Sequence, residues 1–246
     1  MLPEAENRIG AFTMAVKGCL NGGRTRAEHP GVPLASAELA ADAVAVRAAG
    51  AFAVHVHPRG RGGLQTLDAK VCDAAVAAIR AAAPRLPIGL STSAAIDADP
   101  FARAAAMTAW RHRPDFVSVN LYELGWMGVA RAALHAGIAI EAGLAVPADA
   151  EALRGSSFAH QVLRVLVEVD GGAEDARAIA ELIPEGVPQL WHGSGERTWE
   201  VISAAGAAGI DVRVGLEDVL VLPDGRTAAN NAELVAAALA LVSNTT

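Results

Sequence analysis

Two histidines, His55 and His57, stand two residues apart at the end of a short apolar stretch. Because side chains alternate along a β-strand, residues two apart point to the same face. Two imidazoles that converge in this way are typical ligands of a divalent metal such as zinc. Catalytic metal sites commonly add a carboxylate and keep one position open for substrate. Glu217 is the strongest candidate because it ends the last apolar stretch, and Glu141 and Glu168 are its competitors.

An acid and an arginine lie close to Glu217 in the chain. Asp218 follows it directly, and Arg213 precedes it by four residues. On a regular strand, adjacent side chains face opposite ways, so we expect one carboxylate to bind the metal while the other acts as a base. Arg213 would share the face of Glu217. Its guanidinium would either hold Asp218 ionised and oriented or clamp a carboxylate of the substrate.

Polar residues also end most of the other apolar stretches. Short hydroxyls, amides and carboxyls at such positions suit the hydrogen-bonding groups of a small substrate. We assign substrate contacts to Asn21, Arg24, Ser91, Thr92, Ser118, Asn120 and Glu141. Ser91 and Thr92 are equally well explained as N-caps of a following helix. Gly193 and Gly195 lie after the seventh apolar stretch, where many barrels bind phosphate, and are the candidate cofactor contacts.

Two kinds of segment alternate along the chain and would position these residues. Short stretches rich in β-branched residues predict strands at 13–20, 52–57, 87–92, 116–121, 138–144, 162–169, 189–192 and 211–216. Longer Ala-rich segments predict helices at 36–49, 66–83, 100–111, 126–136, 147–154, 173–183, 197–208 and 231–242. Alternating β/α units predict a parallel sheet, and eight of them predict a closed (β/α)₈ TIM barrel.

An open, doubly wound sheet is the alternative fold. Its first turn usually carries G-x-G-x-x-G spacing, which N-G-G-R-T-R at 21–26 lacks. No long polar linker divides the chain, so we expect one barrel domain over residues 1–246. Catalytic groups of such barrels gather at the C-terminal ends of the strands, where most of the residues singled out above fall.

Composition narrows the class of function. The 246 residues carry a formal charge of −7 and are 52% hydrophobic, which excludes a disordered chain. The acidic balance argues against nucleic-acid and anionic-membrane partners. Cys19 and Cys72 do not form a disulfide framework, and no apolar run approaches the roughly 20 residues of a membrane span. We therefore expect a cytoplasmic protein that acts on small molecules.

Taken together, the motifs resemble the β-keto acid cleavage enzyme family, typified by 3-keto-5-aminohexanoate cleavage enzyme. The likeness runs from about residue 15 to residue 241 and rests on N-G-G-R-T-R-A-E-H-P-G-V-P at 21–33, H-V-H-P-R at 55–59, L-S-T at 90–92, V-S-V-N at 117–120, R-V-G-L-E-D at 213–218 and N-A-E-L at 231–234. The resemblance implies a TIM barrel, a homo-oligomer (a tetramer) and a bound zinc or other divalent ion. It also implies condensation of a β-keto acid with acetyl-CoA, which gives acetoacetate and a new CoA ester.

The resemblance implies a role for individual residues as well. His55, His57 and Glu217 would bind the zinc, and Asp218, poised by Arg213, would be the base. Ser91 and Ser118 would hold the substrate.

One position departs from the family pattern. The founding enzyme has an acidic residue in the loop after the first strand, which meets the amino group of its substrate, and this chain has Gly23 there, beside Arg24 and Arg26. We therefore expect a β-keto acid with a neutral or anionic tail.

Two other functions remain as alternatives. The first is a metal-dependent barrel aldolase or hydrolase that does not use CoA, in which His192 would be a further metal ligand. The second is a non-catalytic barrel used for binding or assembly.

Overall fold

A computed structural model describes residues 14–243 of the chain. The strands are β1 Val16–Cys19, β2 Ala53–Val56, β3 Ile88–Ser91, β4 Phe116–Asn120, β5 Ala139–Leu144, β6 Arg164–Val169, β7 Gln189–Gly193 and β8 Asp211–Val214. The α-helices are α1 Ser36–Ala48, α2 Ala69–Ala82, α3 Pro100–Ala109, α4 Trp126–His135, α5 Pro147–Arg154, α6 Ala173–Ala180, α7 Thr198–Ala207 and α8 Asn231–Ser243. Two short 3₁₀ turns occupy Arg61–Gly63 and Gly195–Arg197.

The strands form a closed, parallel barrel in chain order, with β8 paired to β1. The predicted (β/α)₈ TIM barrel is therefore confirmed. It forms because each strand buries both of its faces. In β2, the side chains of Val54 and Val56 are fully buried in the same apolar cluster as Ile79 of α2. His55 lies between these two valines, so it points the other way, into the barrel.

A cluster of three charged side chains lies inside the barrel. The ammonium of Lys17 on β1 bonds one oxygen of Glu141 on β5, and Nε of Arg164 on β6 donates to the other oxygen at 2.6 Å. The Arg164 guanidinium also lies 4.8 Å from the centre of the Phe116 ring. Burial would raise the pKa of Glu141, but the two cations bring it well below its ordinary value. The ion pairs therefore allow charged groups to fill part of a barrel interior that apolar residues usually occupy.

The observed elements follow the predicted ones closely, and two boundaries differ for a physical reason. The helix predicted at 66–83 begins at Ala69, because Asp68 caps it by accepting from the backbone N–H groups of Lys70 and Val71. The strand predicted at 211–216 ends at Val214, because the chain turns there and Asp218 N donates to the carbonyl of Gly215 at 2.8 Å. The first residue of the strand predicted at 13–20 lies outside the described residues.

None of the helices described between residues 14 and 243 combines the length and the apolar character needed to cross a membrane.

Candidate active site

Three potential metal ligands meet at the C-terminal mouth of the barrel. His55 belongs to β2, His57 lies just beyond it, and Glu217 lies in the turn after β8. The Nε2 atoms of the two histidines are 3.0 Å apart. Oε1 of Glu217 lies 3.9 Å from Nε2 of His55 and 3.5 Å from Nε2 of His57. All three ligand atoms fall within 4.8 Å of one another, so they can face one ion.

The chemical state of these donors fits a divalent cation. Burial lowers the pKa of His55 to about 3, which leaves its imidazole neutral and able to donate a lone pair. Burial would raise the pKa of Glu217, but Arg213 and the two imidazoles lower it well below its ordinary value. In the described chain, the second oxygen of Glu217 is buried and accepts no hydrogen bond. Two imidazole nitrogens and one carboxylate oxygen are the ligand set of many catalytic zinc sites.

Arg213 holds both carboxylates of the turn with a single nitrogen. Its Nη2 donates to Oε1 of Glu217 at 2.8 Å and to Oδ1 of Asp218 at 2.5 Å. Our expectation that the two carboxylates face opposite ways is wrong, because β8 has already ended and both residues lie on a turn. Burial raises the pKa of Asp218, although Arg213 and His192 oppose that rise. Asp218 is thus a buried, oriented carboxylate with a raised pKa beside the candidate metal ligands.

His192 and Glu168 extend this cluster, whereas the sequence suggested them only as alternative metal ligands. The His192 ring is buried between two carboxylates, with Nδ1 3.6 Å from Oδ1 of Asp218 and Nε2 3.3 Å from Oε2 of Glu168. Burial would raise the pKa of Glu168, but its interaction with His192 lowers it to about 2. His192 is not part of the group of candidate metal ligands. Its strand, β7, pairs with β8, and this neighbourhood is what could have predicted its approach to Asp218 from the sequence.

The candidate substrate residues of β3 and β4 lie side by side. Ser91 and Ser118 are partners in the register of the two strands, which places both hydroxyls on the same face. The hydroxyl of Thr92 instead donates to the carbonyl of Ser118 at 2.6 Å, and the amide of Asn120 donates to Glu123 at 2.9 Å. Thr92 and Asn120 therefore stiffen this side of the mouth.

Three other candidate substrate residues are engaged elsewhere. Asn21 is buried and uses its amide on the backbone of His57 and on the carbonyl of Pro33. Arg24 is partly exposed and pairs with Glu28 at 2.9 Å. The oxygens of Glu141 are taken by the ion pairs inside the barrel. Contact of these three residues with a substrate stays a prediction.

The candidate cofactor glycines lie near the turn after β8 that carries Glu217 and Asp218, called here the acidic turn. Gly193 is the last residue of β7, and an added Cβ there would lie 2.8 Å from the carbonyl of Arg197, just before α7, and 2.9 Å from Val201 of α7. Gly195 has φ +55°, and its N–H donates to the carbonyl of Asp218 at 2.9 Å. That N–H supports the turn, so phosphate binding by Gly193 and Gly195 also stays a prediction.

Comparison with known proteins gives both a sequence match and structural likenesses. A family model described as beta-keto acid cleavage enzyme matches residues 13–151 and 148–246. No curated protein matches the chain at the sequence level.

Solved structures resemble the chain at low identity. A binary complex of ObcA with oxaloacetate has a TM-score of 0.67 at 18% identity, covering 84% of this chain and 62% of the ObcA chain. A ternary complex of ObcA with a C4-CoA adduct and oxalate has a TM-score of 0.66 at 18% identity with the same coverage. The 3-hexulose-6-phosphate synthase from Salmonella typhimurium has a TM-score of 0.56 at 15% identity, covering 95% of this chain and all (100%) of that one. At these identities the likenesses show the barrel fold alone, and the chain spans about 62% of the length of the ObcA chain.

Proposed function

We propose a function for this chain, which belongs to the β-keto acid cleavage enzyme family. The chain cleaves a β-keto acid at the mouth of its barrel with the help of a divalent metal. One observation carries the proposal: His55, His57 and Glu217 offer three converging ligand atoms, and the turn that supplies Glu217 also supplies Asp218. We infer that the ion is zinc, since two imidazoles and a carboxylate suit it.

The reaction we propose uses acetyl-CoA as the second substrate. The carbon between the two carbonyls of the β-keto acid loses a proton and attacks the thioester carbonyl of acetyl-CoA. CoA leaves as its thiolate, which adds to the original keto carbon. The bond between that carbon and the attacking carbon then breaks, and the attacking carbon takes up a proton, which gives acetoacetate and the CoA ester of the remaining acyl group. The family membership supports this reaction, and a solved ObcA complex is described as containing a C4-CoA adduct.

The residues of this chain divide the work in the proposed reaction. A divalent ion at His55, His57 and Glu217 would polarise the keto oxygen and so acidify the neighbouring CH₂ group. Asp218 takes the proton from that carbon, because its buried carboxylate has a raised pKa and lies beside the metal ligands. Arg213 holds Asp218 in place through its bond of 2.5 Å. The adjacent hydroxyls of Ser91 and Ser118 are suited to bind the substrate carboxylate.

The loop after β1 supports a neutral or anionic substrate tail. Gly23 offers no carboxylate there, and Arg24 contributes a cation that Glu28 partly neutralises. A cationic tail would meet no opposite charge from Gly23, whereas an anionic tail would compete with Glu28 for Arg24. Comparable turnover of β-keto acids with cationic and anionic tails would refute this part of the proposal.

Mass spectrometry of one reaction mixture tests the reaction. The metal-loaded protein is incubated with acetyl-CoA and a pool of β-keto acids that have cationic, neutral and anionic tails. We expect acetoacetate together with one new CoA ester, whose mass identifies the substrate. The Asp218→Asn variant and chelator-treated protein are the controls, and both should give neither product.

The alternatives predict other outcomes of the same mixture. Consumption of a β-keto acid without CoA ester would favour a metal-dependent aldolase or hydrolase. No consumption of any acid by protein that carries bound metal would favour a non-catalytic barrel. We also infer a homo-oligomer from the family likeness, which light scattering of the purified protein tests.

A further inference from the structure

The loop after β2 folds back on itself and returns the chain to the metal ligands. Residues Arg59 and Gln65 form an antiparallel bridge. Gly60 N donates to the carbonyl of Leu64 at 2.8 Å, and Thr66 N donates to that of Pro58 at 3.1 Å. The tip, Gly62 and Gly63, has φ +73° and +76°, a conformation that glycine adopts without strain. This hairpin places Gln65 beside His57.

Gln65 bonds the side of the His57 ring that faces away from the metal ligands. Its Oε1 is hydrogen-bonded to Nδ1 of His57, while Nε2 of His57 faces Nε2 of His55 and Oε1 of Glu217. An amide oxygen can only accept a hydrogen bond, so Nδ1 must be the protonated nitrogen. In the neutral ring, Nε2 is then left with a free lone pair directed at the three-ligand cluster.

The backbone of His57 is held separately from its ring. Its N–H donates to Oδ1 of Asn21 at 2.8 Å, and its carbonyl accepts from Nδ2 of Asn21 at 2.9 Å. Asn21 therefore fixes the backbone of His57, but it does not fix the rotation of the imidazole ring. His55 has no such partner at Nδ1, which is buried without a hydrogen bond in the described chain.

We propose that Gln65 is a positioning residue, which fixes the tautomer and the orientation of His57 so that its Nε2 is ready to bind metal. This inference rests on the proposed metal site. Partners of this kind around a metal-binding histidine commonly change metal affinity by about 10- to 100-fold when they are removed. The substitution to test is Gln65→Met, which removes the acceptor and keeps a side chain of similar length.

Two measurements decide the proposal. The first is the Kd for Zn²⁺, by competition with a chelating dye, in the wild-type protein and in Gln65→Met, Gln65→Glu and Gln161→Met variants. We expect Gln65→Met to bind Zn²⁺ about 10- to 100-fold more weakly and Gln65→Glu, which keeps an acceptor, to recover most of that loss. Gln161→Met is the matched control because Gln161 is exposed and its side-chain amide donates to the carbonyl of Ser157; it should leave the Kd unchanged.

The second measurement is ¹⁵N NMR of the histidine rings in metal-free protein. We expect His57 to carry its proton on Nδ1 in the wild type and to populate the other tautomer in Gln65→Met. Wild-type affinity in Gln65→Met, with or without a lower Tm, would overturn the proposal. If the wild-type protein binds no Zn²⁺, the proposed function fails, and the tautomer measurement still decides whether Gln65 orients His57.

Discussion

Replacement of Arg213 gives the sharpest test of the acidic turn. Arg213 is 4% exposed, and its guanidinium donates from one nitrogen to both Glu217 and Asp218. A hydrogen bond to a charged group contributes about 1.5–3 kcal/mol. The bond to Asp218 is the one that orients the proposed base, and about 1.4 kcal/mol corresponds to tenfold in rate. We therefore expect Arg213→Met to lower kcat/KM by about 10- to 150-fold from this bond alone.

The same substitution should also move the pH profile. Burial raises the pKa of Asp218, and the positive charge of Arg213 opposes that rise. Without the guanidinium, the pKa of Asp218 rises further, and a base must be ionised to act. The acidic limb of the profile of kcat/KM against pH should therefore move to higher pH in Arg213→Met, and less so in Arg213→Lys, which keeps the charge.

The assay is the initial rate with the β-keto acid identified by mass spectrometry, measured across the pH range in which the variants stay folded. Bound metal is determined in the same samples, because Arg213 also holds the proposed metal ligand Glu217. Arg226→Met is the control, since Arg226 is an exposed arginine after the same strand and pairs with Asp224. An unchanged acidic limb in a folded, metal-loaded Arg213→Met protein would refute the reasoning.

Three further predictions concern single positions. His57→Ala should lose both bound metal and turnover, as measured by elemental analysis and the mass spectrometric assay, and a fully active variant would contradict the site. Gly22→Ala should weaken Zn²⁺ binding at least about tenfold, because Gly22 has φ +46° and an added Cβ would collide with Glu217. Gly62→Ala is the control, because Gly62 also has a positive φ, +73°, but an added Cβ there would meet open space. Burial raises the pKa of Asp42 to about 6 from 3.8. The native state therefore holds this proton more tightly than the unfolded chain, so stability falls as pH rises from about 4 to about 6. Asp42→Asn should raise the free energy of unfolding by up to about 3 kcal/mol at pH 8 and by little at pH 4; equal effects in urea titrations at both pH values would contradict this assignment.

The barrel itself could be predicted because its signals are local. The spacing of apolar residues that is typical of a strand or a helix can be recognised within each segment. The structure has all sixteen elements within a few residues of their predicted bounds. The shared face of His55 and His57 also follows from strand alternation alone. Glu217 could be selected because the C-terminal ends of the strands converge in this fold.

The rest of the site depends on contacts that no local pattern encodes. Strand alternation failed for Glu217 and Asp218 because the strand stops at Val214. Gln65 reaches His57 only because the intervening hairpin folds back. Glu141, which we expected at a strand end, is the third residue of β5, and Lys17 and Arg164 occupy its oxygens from other strands. Pairing across the barrel, rather than residue type, decides which polar groups remain available to a ligand.

The closure of the barrel between β1 and β8 has a consequence for the order of folding. The two histidines follow the second strand and the two acids follow the last, so the candidate site is complete only when the ring is closed. Contacts that span the closure join residues far apart in the chain, such as Asn231 with the carbonyl of Leu20 and His29 with that of Ala228. Such contacts form late, because closing a long loop must precede the interaction. An incompletely synthesised or partly unfolded chain would therefore lack the assembled ligand set, and activity would report on completed folding.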